Sequence, residues 1–142
     1  MKARLLSKKA EPAYFGVRDM KSSRENLVRL KRFQVEEKRR QLLQLDQMIA
    51  EFDRMATELE MQVVAEEKKA GITDVNHFAY PTFAKAARLR RDNLKTSQSG
   101  LMEQRKSAES LLSEAEADLA KAELLESRDG RGRDEHDIRN AV

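Results

Sequence analysis

Two histidines are the side chains of this sequence best suited to acid–base or metal chemistry, since the chain contains no cysteine. His77 lies between two long segments that read as helices, and His136 lies near the end of the chain. Neither has a second histidine at the spacing of a metal site, so we expect His77 to be a loop residue that packs on Tyr80. The sequence therefore predicts no catalytic residue and no metal site.

Motifs for nucleotides and for activated nucleophiles are absent as well. There is no Walker loop, no dinucleotide fingerprint and no nucleophile elbow, so no cofactor is expected. The glycines of Asp129-Gly130-Arg131-Gly132-Arg133 follow no strand and precede no helix signal. An enzyme also needs an enclosed cleft in which pKa values are tuned, and long paired helices offer none. An enzyme is thus the least favoured class of function.

Basic clusters are the candidates for binding an anionic partner. Nucleic-acid binding would require them to form one stripe, preferably beside aromatic side chains that stack on bases. The chain has 28 Lys and Arg against 25 Asp and Glu, which describes a mixed surface. We favour helix flanks paired with acidic residues and keep a nucleic-acid-binding helical arm as an alternative. The clusters are Arg29-Leu30-Lys31-Arg32, Lys38-Arg39-Arg40 and Arg88-Leu89-Arg90-Arg91.

Long helices are the elements that the composition predicts, because 37% of residues are charged and only five are glycine and two proline. Ser22 and Glu25 have the spacing of a capping box, which predicts a helix start there. No Gly or Pro follows until Gly71, which reads as a left-handed C-cap. Residues 71–82 read as a connection, with Asp74 capping a turn and Pro81 in the first turn of a second helix.

Apolar residues alternate by three and four positions in the first helix, and recur at three, four or seven in the second, which is typical of a coiled coil. The second pattern is weaker, and Gly100 favours local fraying or a bend. A two-stranded seam buries one stripe per helix, so some of Phe33, Met48, Met55 and Tyr80 must stay partly exposed. The seam residues are Leu42, Leu45, Ile49, Phe52, Ala56, Leu59 and Val63, then Phe83, Ala87, Leu94, Leu101, Ala108, Leu112, Ala115, Leu119 and Ala122.

Charge blocks predict how the two helices pair. Residues 20–45 carry eight positive and three negative side chains, a net charge of +5, and residues 107–126 carry one and six, a net charge of −5. Residues 46–69 carry three positive and seven negative side chains, a net charge of −4, and residues 85–106 carry seven positive and two negative ones, a net charge of +5. An antiparallel hairpin brings opposite blocks together, whereas a parallel dimer opposes like charges.

The fold predicted is therefore all-α, a long antiparallel two-helix coiled-coil hairpin over residues 22–126 with its turn near 71–82. Residues 1–21 are predicted to be a disordered leader, with Met20 as a candidate natural start. Residues 127–142 have no period and are predicted to be a disordered tail. A homodimeric scaffold whose helices pair between chains is the remaining structural alternative.

Several segments resemble the flagellar export protein FliJ family in its alphaproteobacterial form. They are the opening from Met20 to Phe33, the helix through Met48-Ile49-Ala50-Glu51-Phe52, and Ala70-Gly71-Ile72-Thr73-Asp74 leading to residues 77–87, His-Phe-Ala-Tyr-Pro-Thr-Phe-Ala-Lys-Ala-Ala. The similarity covers roughly Met20 to Glu126. The turn motif is its most specific part, because a coiled coil alone matches many proteins by composition.

The resemblance implies a non-catalytic, stalk-like component of the flagellar type III export apparatus, cytoplasmic and peripheral at the inner membrane of the flagellar base. Its implied partners are the export ATPase hexamer, the cytoplasmic domain of the export gate membrane protein and export chaperones, with no nucleic acid and only indirect contact with the membrane. Phe83, with Ala87 and Tyr80, would form the gate surface. Arg29, Lys31 and Arg32, at the open end, would meet the ATPase ring.

Overall fold

The computed structural model describes residues 15–141 and the side chains of residues 22–132 and 135–141. Helix α1 is Phe15–Ala70, helix α2 is Thr82–Asn140, and the described residues contain no strand. The two helices pack against each other, so the predicted all-α hairpin is confirmed. The described residues divide into two units: residues 38–111, which contain the turn, and residues up to Glu37 together with those from Leu112.

The end of α1 is set by Gly71. This glycine has a φ of +69°, the left-handed conformation that costs a residue with a Cβ atom free energy. The backbone N–H groups of Gly71 and Ile72 both donate to the carbonyl oxygen of Glu67, at 2.8 and 3.3 Å. Because these bonds satisfy a terminal helix carbonyl, the predicted C-cap is confirmed.

The connection between the helices is held by local hydrogen bonds. The Oδ1 atom of Asp74 accepts from the N–H of Asn76 at 3.0 Å, and the Asp74 carbonyl accepts from the N–H of His77 at 3.1 Å. The carbonyl of Pro81 accepts from the N–H of Lys85 at 3.1 Å, the first i to i−4 bond of α2. The capping role of Asp74 is thus confirmed, and Pro81 stands immediately before α2.

The seam of the turn-bearing unit contains small and aliphatic side chains. Phe83 was expected in it, but Phe83 is 57% exposed and its neighbour Ala84 is fully buried. The three-and-four spacing of the buried α2 residues leads back from Ala87 to position 84, which explains the correction. The buried apolar residues of this unit are Ala56, Val63, Tyr80, Ala84, Ala87, Leu101 and Ala108.

Three polar residues at seven-residue intervals occupy the α2 seam between these apolar ones. Arg91 donates to Glu60 at 2.5 Å, Arg105 donates to Asp46, and the Gln98 side-chain amide donates to the backbone carbonyl of Ile49 at 3.3 Å. Each polar group therefore has a partner on α1, and such seam residues favour one register of the two helices. The helix continues through position 100, so the expected fraying is not found.

In the unit at the open end, the seam extends further than the sequence analysis indicated. Val28 and Val35, which continue the register of Leu42 towards the N-terminus, are each only 2% exposed. On α2, Ala122 is buried, and Leu112 and Leu119 are half-buried. The seven-residue spacing from Leu42 was the signal that would have identified both valines.

Both helix ends lie beyond the predicted bounds. Helix α1 begins at Phe15, so Ser22 lies inside it and the capping box does not mark its start. Helix α2 continues to Asn140, so the prediction of an unstructured tail was wrong for residues 127–140. Arg24 pairs with Asp129, which is half-buried. A charged contact therefore takes the place of an apolar one there, so the spacing of apolar residues gave no sign of it. The leader up to residue 14 and residue 142 lie outside the described residues.

Candidate functional site

Tyr80, one of the three residues predicted for the gate surface, belongs to the packing of the turn. It is 8% exposed, and its hydroxyl donates to Glu67 Oε1 at 2.8 Å. Arg88 donates to the same carboxylate oxygen at 3.1 Å. The hydrogen bond with Tyr80 is the main cause that raises the pKa of Arg88, and partial desolvation opposes it. These contacts tie the connection to the end of α1.

Phe83 and Ala87, the other two residues of that predicted surface, lie on different faces of α2. Phe83 is 57% exposed, whereas Ala87 is 5% exposed and packs in the seam. Of the three predicted residues, Phe83 alone is available to a partner. On its own side of the helix, the exposed neighbours three and seven positions on are Ala86 and Arg90.

Phe78 is an exposed aromatic residue that the sequence analysis did not single out. It is 96% exposed, and its ring stacks on that of His77 with the centroids 4.7 Å apart. His77 Nδ1 accepts a hydrogen bond from the N–H of Ala79 at 3.0 Å. His77 is thus a loop residue as expected, but it packs on Phe78 and not on Tyr80.

A groove of about 480 Å³ lies between the connection and the outer side of α2. Its apolar lining comes from Val75, Ala86 and Leu89, and Leu89 is 64% exposed. Lys85, Arg88 and Asp92 border it with charge, and Thr82 completes the lining. The groove is open and shallow, which suits a contact with a protein surface better than the enclosure of a small molecule.

The predicted ATPase-binding cations of the open-end unit differ in their contacts. Lys31 lies 3.9 Å from Asp118, and Arg32 lies 3.5 Å from Glu123, so two of the three pair with the acidic block of α2. Arg29 is exposed. Lys31 is half-buried and Arg32 is exposed. An ion pair at an exposed position contributes only about 0–1 kcal/mol, so Arg32 can exchange its partner for another at little cost in free energy.

The two sides of the seam in the unit 38–111 differ in charge. On one side, which we call the charged side, carboxylates of α1 pair with arginines of α2: Glu67 with Arg88, Glu60 with Arg91, and Asp46 with Arg105. The hydrogen bonds that Arg91 donates to Glu60 and Arg105 donates to Asp46 raise the pKa of both arginines. The charge-block prediction of antiparallel pairing is confirmed by these contacts.

The other side carries a groove of about 360 Å³, which we call the methionine groove. Its floor is formed by the seam residues Leu59 and Leu94, and none of its lining residues forms an ion pair between the two helices. A groove of this kind is large enough to receive side chains of another helix. The lining residues are Met55, Glu58, Leu59, Gln62, Arg90, Asn93, Leu94 and Ser97.

The basic cluster Arg88-Leu89-Arg90-Arg91 is divided between these sides, because Arg88 and Arg91 face α1 carboxylates while Arg90 borders the methionine groove. It does not form one cationic stripe. Among the described residues, no group of three or more His, Cys, Asp or Glu side chains could hold a metal ion. No helix in the described part of the chain is long and apolar enough to cross a membrane.

Comparison with known proteins gives no relative. No protein-family model, no curated protein and no solved structure matches this chain.

Proposed function

We propose that this protein is a non-catalytic component of a flagellar type III export apparatus, in which it couples the export ATPase ring to the export gate and assists delivery of chaperone–substrate complexes. The proposal places it in the cytoplasm, peripheral to the inner membrane at the flagellar base. It rests on the resemblance of the turn motif to the FliJ family. The hairpin architecture is compatible with that resemblance.

The observation that carries the proposal furthest is the position of Phe83. This residue follows the turn motif directly, its backbone is fixed by the contacts of Tyr80 and Glu67 nearby, and its ring is 57% exposed. A large apolar side chain held on a rigid helix is a typical anchor of a protein interface. The gate surface is accordingly proposed as Phe83 with the exposed Ala86 and Arg90, without the buried Ala87 and Tyr80.

The ATPase ring is proposed to bind the open-end cations Arg29, Lys31 and Arg32. The pairs of Lys31 with Asp118 and of Arg32 with Glu123 are long, and the Arg32 pair is exposed, so exchange for acidic residues of the ring costs little free energy. Binding through rim charges of this kind depends on ionic strength. We therefore expect affinity for the ATPase to fall as salt is added, more steeply than affinity for the gate.

The test of the gate surface compares two exposed apolar residues of α2. Phe83→Ala should weaken binding to the cytoplasmic domain of the export gate protein by about tenfold or more, because it removes the anchor. Leu111→Ala, which is 45% exposed on α2 away from the turn, is the matched control and should bind like the unmodified protein. Both variants should keep their helical circular-dichroism signal.

The test of the functional class is a pull-down with the full chain from a flagellated alphaproteobacterium. Recovery of the export ATPase and the gate protein is the expected result. Recovery of neither, with the hairpin intact by circular dichroism, would overturn the proposal.

A further inference from the structure

Two α1 residues that line the methionine groove, Met55 and Gln62, belong to a longer row of uncharged residues. Gln41, Met48, Met55 and Gln62 follow one another at seven-residue intervals, so they lie along one side of the helix. On the charged side of the same helix, the row from Arg39 to Glu67 is charged at every seventh position. Met48 is 46% exposed and Met55 half-buried. Adaptable thioether side chains are thus presented to the outside.

Apart from Arg90, the α2 border of the groove is built from uncharged side chains. Asn93 and Ser97 line it directly, and Gly100 lies one turn further on at the same side. A Cβ atom added at Gly100 would meet no atom within 4 Å, so the space above this glycine is open. Another helix can therefore approach the α2 backbone closely here.

The bulky and the small borders lie at the same height along the seam. Arg91 faces Glu60 and Arg105 faces Asp46, so Met55 stands level with position 96 and Met48 level with position 103. A two-fold axis along the groove would therefore lay Met55 of one copy beside Ser97 of the other, with Gly100 between the levels of Met55 and Met48. A surface that fits itself in this way is the requirement for an isologous dimer.

The charges at the groove satisfy the same symmetry. Glu58 and Arg90 both line it, and Arg90 forms no ion pair with any residue that the structure describes. Glu58 stands level with position 93, three residues from Arg90, or about 4.5 Å along the axis. The two-fold rotation brings Glu58 of one copy within reach of Arg90 of the other, twice in each dimer.

We propose that the unit 38–111 binds a second copy of this chain through the methionine groove, with the two hairpins parallel and related by a two-fold axis along it. Helix α1 of each copy packs against α2 of the other, so that the contact contains four helices. Intramolecular pairing of α1 with α2 is unchanged, which distinguishes this dimer from a scaffold whose helices exchange between chains. The inference does not rest on the proposed function, although the dimer contact and the proposed gate surface share Arg90.

Sedimentation equilibrium of the full chain tests the proposal. The unmodified protein should show a reversible monomer–dimer equilibrium below about 200 µM, a concentration that a weak specific interface reaches. Met55→Glu, which places a charge in the groove, should raise the dimer dissociation constant at least about tenfold. Met61→Glu is the matched control, since Met61 is 67% exposed on α1 outside the groove, and should leave the constant unchanged.

Charge reversal tests the orientation. Glu58→Arg and Arg90→Glu should each weaken the dimer, and the double variant should restore it towards the original affinity. Glu58 also pairs with Arg54 of its own helix at 2.9 Å, so the helicity of each variant is measured in parallel. Restoration by the double variant is specific to the α1-against-α2 arrangement, because an arrangement with α1 against α1 does not bring these two residues together.

Gly100→Gln separates dimer formation from folding. It should stabilise α2, since glutamine is a better helix former than glycine, and yet weaken the dimer by blocking close approach. A monomer at every concentration, or equal constants for Met55→Glu and Met61→Glu, would overturn the proposal. So would a monomeric protein whose groove instead captures a different protein in a pull-down that Met55→Glu abolishes.

Discussion

The Tyr80 hydroxyl donates a hydrogen bond to the Glu67 carboxylate at 2.8 Å, and the carbonyl oxygen of the same Glu67 accepts the N–H groups of Gly71 and Ile72. Glu67, in the last turn of α1, therefore accepts hydrogen bonds both from the residues of the left-handed cap and from Tyr80 at the end of the connection. The start of α2, and with it Phe83, is positioned by this junction. Its strength decides how rigidly the exposed aromatic is presented.

Removing the Tyr80 hydroxyl should destabilise the hairpin. Tyr80→Phe leaves Glu67 with Arg88 as its remaining side-chain partner, so we expect a loss of about 1 kcal/mol in the free energy of unfolding. Urea unfolding followed by circular dichroism measures it. Phe78→Ala is the control, because Phe78 is 96% exposed and its stacking on His77 should contribute less. Equal stabilities of the two variants would contradict the structural role of Tyr80.

Substitution of Gly71 should be costly even though its surroundings are empty. A Cβ atom at this position would meet nothing within 4 Å, so the whole penalty of Gly71→Ala comes from the φ of +69° and should be about 1 kcal/mol. Gly100→Ala has the same open space but a helical backbone and should gain about 1 kcal/mol. Thermal unfolding should shift in opposite directions, and a shift in the same direction would exclude this account.

Two adjacent valines of α1 should differ sharply in their contribution to stability. Val63 is 2% exposed and Val64 is 52% exposed. Val63→Ala should cost about 2 kcal/mol, from the lost burial of two methyl groups and the cavity that remains. Val64→Ala should leave stability unchanged or slightly raised, since alanine is the better helix former. Chemical denaturation of both variants checks the prediction, and similar losses would place the seam in another register.

Acid should remove a helix contact between Glu51 and Arg54. Their side chains pair at 2.5 Å, and this hydrogen bond lowers the pKa of Glu51. Since the folded state holds Glu51 ionised to lower pH than the unfolded chain does, the stabilisation is complete above the unfolded pKa. It is lost as pH falls through the lowered pKa of the folded state.

The measurement compares the unmodified protein with Glu51→Gln by denaturation across this pH range. The stability difference should be present at neutral pH and vanish in acid. In an Arg54→Gln background, Glu51→Gln should make no difference at any pH. A difference that persists in acid would show that Glu51 contributes by some other contact.

Local signals in the sequence determined much of the fold. Gly71 indicated the end of α1 because only a residue without a Cβ atom adopts its conformation freely. Asp74 and Pro81 indicated the connection through their own backbone preferences. The charge blocks indicated antiparallel pairing, because opposite charges attract whatever the details of the seam, and the pairs of Glu60 with Arg91 and Lys31 with Asp118 follow that pattern.

The tertiary structure alone decided which side chains face outwards. The burial of Ala84 in place of Phe83 depends on the rotation of α2 about its own axis, and so does the packing of Tyr80 in the turn. Local conformational preferences do not determine this rotation. The extent of α2 beyond Glu126 was hidden for a related reason, because the contact of Asp129 with Arg24 is charged and carries no apolar period. A polar residue belongs to a seam only if the facing helix supplies a partner for it. That partner is defined only when the two helices have packed together.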